Sequence, residues 1–147
     1  MIKAVDEIPM SKAKERKSYR EQIKTDLMEA ITSGIKRFEF VGDYNYKYLA
    51  QYVREEADKL MRVTFCDVAA RHRGEFENIR LNWYMLKPRM KYFTVTSIRT
   101  EEKDKPRVFC EMVGGKLDEY IYNVIRQADA DRAAVKRFRD EQKEDEA

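Results

Sequence analysis

The stretch Ile79-Arg80-Leu81-Asn82-Trp83-Tyr84-Met85 decides how this chain is read. Ile79, Leu81, Trp83 and Met85 alternate with Arg80, Asn82 and Tyr84. An apolar/polar period of two is the signature of a strand with one buried face. Pro88 ends that strand, and Tyr92 to Arg99, rich in β-branched and aromatic residues, forms the next. The run Glu101-Glu102-Lys103-Asp104-Lys105-Pro106 is a charged turn. Val108, Cys110 and Met112 then alternate in a last strand that Gly114-Gly115 breaks. Upstream, Val63-Thr64-Phe65-Cys66 starts a strand that leads into the basic loop Arg71-His72-Arg73-Gly74. Arg37 to Val41 also alternates, with Phe38 and Phe40 on one side.

Three stretches carry the helical period instead. Tyr19, Ile23, Leu27, Ile31 and Ile35 recur every four residues, which predicts helix over about 13–33 with Gly34 at its end. Asn45 is placed to cap a second helix that runs to about Met61, with Leu49, Val53, Ala57 and Leu60 as its stripe. A third begins near Lys116 and shows Leu117, Tyr120, Ile121, Val124, Ile125 and Ala128 on one face. Its pattern thins after Ala128. The predicted order is α-β-α-β-β-β-β-α, an α+β domain with an antiparallel sheet of about four to five strands and three helices. Residues 1–12 read as an extended lead-in, 13–139 as one domain, and 140–147 as a charged flexible tail.

At 147 residues the chain suits a single domain that folds without disulfides or metal. Charged residues make up 39%, well above the usual quarter, so the surface is dense in both signs. The net charge of +3 says little, but its distribution says more. From Arg71 to Arg99 seven basic residues face two acidic ones, whereas Asp140, Glu141, Glu144, Asp145 and Glu146 make the end acidic. Cys66 and Cys110 read as two buried thiols. The opening Met1-Ile2-Lys3-Ala4-Val5-Asp6 lacks the apolar run of a secretory signal, and no stretch is long and apolar enough for a membrane span. The expected location is therefore the host-cell cytoplasm, with no membrane partner.

Catalytic patterns are absent from the sequence. One histidine, His72, and two separated cysteines lack the close ligand spacing of a zinc module. Gly114-Gly115 is the one adjacent glycine pair, and no phosphate-binding loop is present. No serine or cysteine sits in a nucleophile elbow. The expectation is a binding protein without a cofactor or metal, not an enzyme.

The constellation that stands out is the Arg71–Arg99 region, where cations interleave with Phe76, Trp83, Tyr84, Tyr92 and Phe93. Guanidinium and ammonium groups attract phosphates, and flat side chains stack on bases. With Arg80, Asn82 and Tyr84 on one side of their strand, one sheet face would be polar and basic. Arg71, Arg73, Arg80, Tyr84, Arg89 and Lys91 are the candidate partner-binding residues. The same residues also suit an ordinary solvated face with the aromatics in the core. A winged-helix reading of the second helix fares worse, because Glu55, Glu56 and Asp58 beside Arg54 would meet phosphates badly.

The opening Val5-Asp6-Glu7-Ile8-Pro9, followed by Ser11, Lys12, Lys14, Arg16, Lys17, Ser18 and a helix, resembles the start of small proteins from phages and mobile elements of Firmicutes. The match covers this opening alone. Proteins of this size and style are similar to anti-CRISPR proteins and other phage anti-defence factors. That resemblance implies stoichiometric binding to a CRISPR effector nuclease, its guide RNA or its DNA-binding surface, by nucleic-acid mimicry or binding. Rival readings are a nucleic-acid-binding transcriptional regulator and an adaptor that oligomerises through the Ala-rich end of the third helix.

Overall fold

The computed structural model describes residues 12–146. The Val5–Pro9 motif and nearly all of the expected lead-in lie outside the described residues. The elements run α1 (Lys12–Ser33), β1 (Arg37–Glu39), α2 (Tyr46–Arg71), α3 (Trp83–Leu86), a 3-10 turn (Lys87–Arg89), β2 (Phe93–Ile98), β3 (Arg107–Met112) and α4 (Leu117–Glu146). Among the described residues this is four helices and a three-stranded antiparallel sheet of order β1-β3-β2. The expected α+β class holds in that broad sense, but the expected four to five strands with three helices do not.

α1 follows the middle of its stripe, with Ile23 and Leu27 buried and Tyr19 and Ile31 half-buried, while Ala30, outside the stripe, is buried beside them. Gly34 takes φ 70°, and the amides of Gly34 and Ile35 donate to the carbonyls of Ile31 and Ala30. That double closure ends a helix where only glycine is comfortable. Ile35 lies beyond it and is exposed, so it leaves the expected stripe.

The largest correction concerns α2. Its buried row is Leu49, Val53, Glu56, Ala57, Met61, Phe65 and Val68, one continuous helical face. Val63-Thr64-Phe65-Cys66 is helix, not strand, because Phe65 and Val68 extend that row while Val63 and Cys66 point to solvent. The helix-propensity cost of a few β-branched residues is only about 0.5 kcal/mol each, less than the burial of one phenylalanine. Thr64 settles its hydroxyl on the Leu60 carbonyl at 2.8 Å. Asn45 does stand at the N-cap, but its side chain accepts no capping hydrogen bond.

The second correction is the opening stretch itself. Asn82 is an N-cap: its side-chain oxygen accepts from the amides of Tyr84 at 2.9 Å and Met85 at 3.3 Å. This turns the chain into α3, where Trp83 and Leu86, three apart, are buried and Met85 is 65% exposed. Strand alternation would have put Trp83 and Met85 on the same side. Ile79 and Leu81 precede α3 in irregular structure.

β2 and β3 form the predicted hairpin, with Phe93 opposite Met112 and Ile98 opposite Arg107. Val108, Cys110 and Met112 face the core. α2 contacts α1, α3, α4, β2 and β3, so it is the spine around which the core forms. Gly114 and Gly115, both at positive φ, turn the chain from sheet to α4, and Tyr92 ties that turn by donating to the Gly115 carbonyl at 2.7 Å. α4 continues as helix through Glu146, past the point where its apolar pattern thins and into the segment expected as a tail. Thirty residues make it about 45 Å long. No helix among the described residues is long and apolar enough to cross a membrane.

Candidate functional site

With 79–85 no longer a strand, the six candidate residues do not share a sheet face. Arg71 is the last residue of α2; its guanidinium lies 3.8 Å from the Asp118 carboxylate at the start of α4. Arg73 follows in an exposed turn. Tyr84 is exposed on α3, and the Arg62 guanidinium carbon sits 5.6 Å from its ring centre. Lys91 is exposed just before β2, its amide donating to the Tyr120 hydroxyl at 2.9 Å.

Arg80 and Arg89 are the pair that the fold brings together. Both line an open cleft of about 440 Å3 between the 78–89 segment and α4. Ile79, Met85 and Leu86 form one apolar wall, and Ala128 and Val135 of α4 the other. Arg132 completes the rim. Two aspartates of α4 fasten the segment in place. Asp129 accepts the Asn78 amide at 2.8 Å and its side-chain amide at 3.3 Å. Asp131 accepts the Arg89 guanidinium at 2.8 Å and the Gln127 amide at 2.9 Å. Arg89, then Gln127, holds the Asp131 carboxyl below the usual aspartate range.

Arg89 is therefore structural as well as exposed, whereas Arg80 and Arg132 have no ion-pair partner among the described residues. The cleft thus offers two free guanidinium groups above apolar walls. Met85, Val135 and, one turn further along α4, Phe138 are large exposed apolar groups beside it. Chemically this suits a ligand that brings carboxylate or phosphate oxygens together with apolar surface.

The outer face of the true sheet is not basic. Arg37 pairs with Glu111 at 3.3 Å, and Arg107 pairs with Glu39 at 2.6 Å. Both guanidinium carbons lie just under 5 Å from the Phe109 ring centre. The aromatic is occupied and the charges cancel, so this face is poorly suited to stacking bases along a phosphate backbone.

A cluster that sequence reasoning missed joins His72, Glu75 and Tyr122. His72 Nδ1 lies 2.7 Å from Glu75, and the Tyr122 hydroxyl donates to the other carboxylate oxygen. Tyr122, then His72, holds the Glu75 carboxyl below its usual range. The cluster ties the turn after α2 to α4 and engages both oxygens of the Glu75 carboxylate. Cys110 is fully buried, and burial pushes its thiol up to about 12. Cys66, expected buried, is exposed, and both cysteines are free. No group of three His, Cys, Asp or Glu side chains able to hold a metal ion occurs among the described residues.

Comparison with protein-family models, curated proteins and solved structures gives no match.

Proposed function

We propose that this protein is a binding module that works by occupying a partner's surface, with the Arg80–Arg132 cleft as its main contact. The observation that carries this is the coincidence of free guanidinium groups with exposed Met85 and Val135 on facing walls. Such a surface fits an acidic, partly apolar segment of a protein better than bare nucleic acid, which presents phosphates without aliphatic side chains. Charges around the apolar patch would steer association and select the partner. The concrete form of the proposal is an anti-CRISPR inhibitor that occludes an effector nuclease. That choice rests on the likeness in size and style to such inhibitors, not on any matching residue, and contact with guide RNA or DNA belongs to the same proposal.

The test has two parts. Tagged protein is used to capture partners from a bacterial lysate, with and without nuclease treatment. Purified CRISPR effectors are then assayed for target cleavage at rising protein concentration. A captured effector that survives nuclease treatment, with inhibition reaching completion near one-to-one, is the expected result. An Arg80→Glu, Arg132→Glu double variant should fold normally and lose at least tenfold in affinity. Recovery of nucleic acid alone, lost on treatment, would move the protein to the regulator reading. Unchanged inhibition by the double variant would remove the cleft.

One observation favours a second reading. Val135 and Phe138 lie on the outer half of α4, where helix-mediated self-association would cover them. A Val135→Asp, Phe138→Asp variant that converts a sedimenting oligomer to monomer would support the adaptor role. A monomeric parent protein would end it.

A further inference from the structure

One edge of the sheet is strand β2. β2 bonds to β3 on one side and to no strand among the described residues on the other. The Val113 amide donates to the Tyr92 carbonyl at 3.0 Å, which makes that pair a bonded one. In an antiparallel ladder bonded and non-bonded pairs alternate. Thr94, Thr96 and Ile98 therefore bond to β3, and the backbone groups of Phe93, Val95 and Ser97 point outward from the edge.

An edge of this kind is normally guarded by charge, proline or a bulge. Phe93-Thr94-Val95-Thr96-Ser97-Ile98 has no charged residue, proline or glycine, and its pairing with β3 runs through without a bulge. Among the described residues, one side-chain hydrogen bond reaches its outward backbone groups, from the Arg54 guanidinium of the adjacent α2 to the Val95 carbonyl at 3.4 Å. Lys91 and Arg99 stand four residues to either side of Val95, roughly 13 Å away along an extended chain. None of these three cations has an ion-pair partner among the described residues. The nearby α2 carboxylates are taken: Glu55 by Arg20 and Asp58 by Lys87. The remaining carboxylates close in sequence are Glu101 and Glu102, in the turn beyond Arg99.

We infer that the β2 edge accepts an extended segment of a partner protein as a fourth strand, with carboxylate side chains flanking an uncharged, β-branched centre. Main-chain hydrogen bonds to Phe93, Val95 and Ser97 supply the pairing, the Arg54 guanidinium giving up the Val95 carbonyl to the incoming strand, and Lys91 and Arg99 select the acidic flanks. A second copy of this chain does not fit. Antiparallel self-pairing about Val95 would set Lys91 against Arg99 of the copy at both ends, with two Arg54 side chains at the centre. Like charges placed opposite each other destabilise a strand pair.

The experiment uses the full chain and a labelled nine-residue peptide of alternating valine and threonine with two glutamates at each end. A peptide with lysines in place of the glutamates is the control. Fluorescence anisotropy reads affinity, and amide NMR reads location. The expected result is saturable binding of the acidic peptide, with the largest shifts at the Phe93, Val95 and Ser97 amides. The lysine peptide should bind at least tenfold more weakly. Ser97→Pro removes an outward-facing N–H without removing a bond to β3, and it should weaken binding tenfold or more. A Lys91→Glu, Arg99→Glu double variant tests the charge selection at positions outside β2, and it should also weaken the acidic peptide. Absence of saturable binding at millimolar peptide would overturn the inference. So would shifts confined to the Arg80–Arg132 cleft, equal binding of both peptides, or concentration-dependent broadening of the β2 amides without peptide, which would make a second copy the occupant.

Discussion

Replacing Val63 and Phe65 separately, each by alanine, tests the main structural claim about α2. In a strand these two residues, two apart, share a face and a fate. In α2 they are about 200° apart around the axis, and Phe65 is 3% exposed while Val63 is 60% exposed. Phe65→Ala removes a buried ring that sits 5.6 Å, centre to centre, from Trp83, and it should cost about 3–5 kcal/mol. Val63→Ala removes little buried surface and replaces a β-branched residue with the best helix former, so its cost should stay within about 0.5 kcal/mol of zero. Trp83 is the only tryptophan and is largely buried, so its fluorescence reports urea unfolding directly. Because a domain is stable by only about 5–15 kcal/mol, Phe65→Leu, costing about 1–2 kcal/mol, secures the measurement if the alanine variant unfolds. Two substitutions of similar cost would refute the helical assignment. So would a costly Val63→Ala beside a harmless Phe65→Ala.

Tyr92→Phe should cost about 1 kcal/mol in the same assay, because it leaves the Gly115 carbonyl without its buried donor; no change would mean the carbonyl is already solvated. A thiol reagent should label one cysteine quickly in the native chain, Cys66, and both in urea, since Cys110 is buried with its thiol pushed up to about 12; rapid labelling of both would contradict the packing of β3. Carboxyl NMR should show Asp131 titrating below the ordinary aspartate value, and Arg89→Gln should move the midpoint up. A depressed carboxylate contributes stability that is fully present above its unfolded pKa and is lost as pH falls through the folded value. The Arg89–Asp131 clasp should therefore open as pH falls below the ordinary aspartate range, and an unshifted midpoint in the parent protein would show that the clasp does not form in solution.

The parts of the fold that were legible are those where one local pattern left no competitor. The α1 row ends at Gly34, where a left-handed cap agrees with it. The β2–β3 hairpin is bounded by a charged turn and a glycine pair. The misread elements are those where two periods coincide over a short run. Ile79, Leu81, Trp83 and Met85 alternate as a strand would, yet Trp83 and Leu86 also stand three apart, as a helical turn requires. The capping hydrogen bonds of Asn82 select the second, and they depend on a backbone turn that apolar spacing does not report. The loss of two strands also undid the expected site. Arg80 and Arg89 were visible as cations, but their partners across the cleft, Arg132 and Val135, lie some fifty residues later on a stretch of α4 with no strong apolar period. Asp129 and Asp131 bring the two segments together. A pair of aspartates on an exposed helix is an ordinary sight in a sequence this rich in charge, so nothing in its spacing marks them as the clasp. The binding surface is therefore a product of tertiary docking. Its chemistry was present in residue types that could be listed beforehand, and its location required knowing which helix the irregular segment leans on.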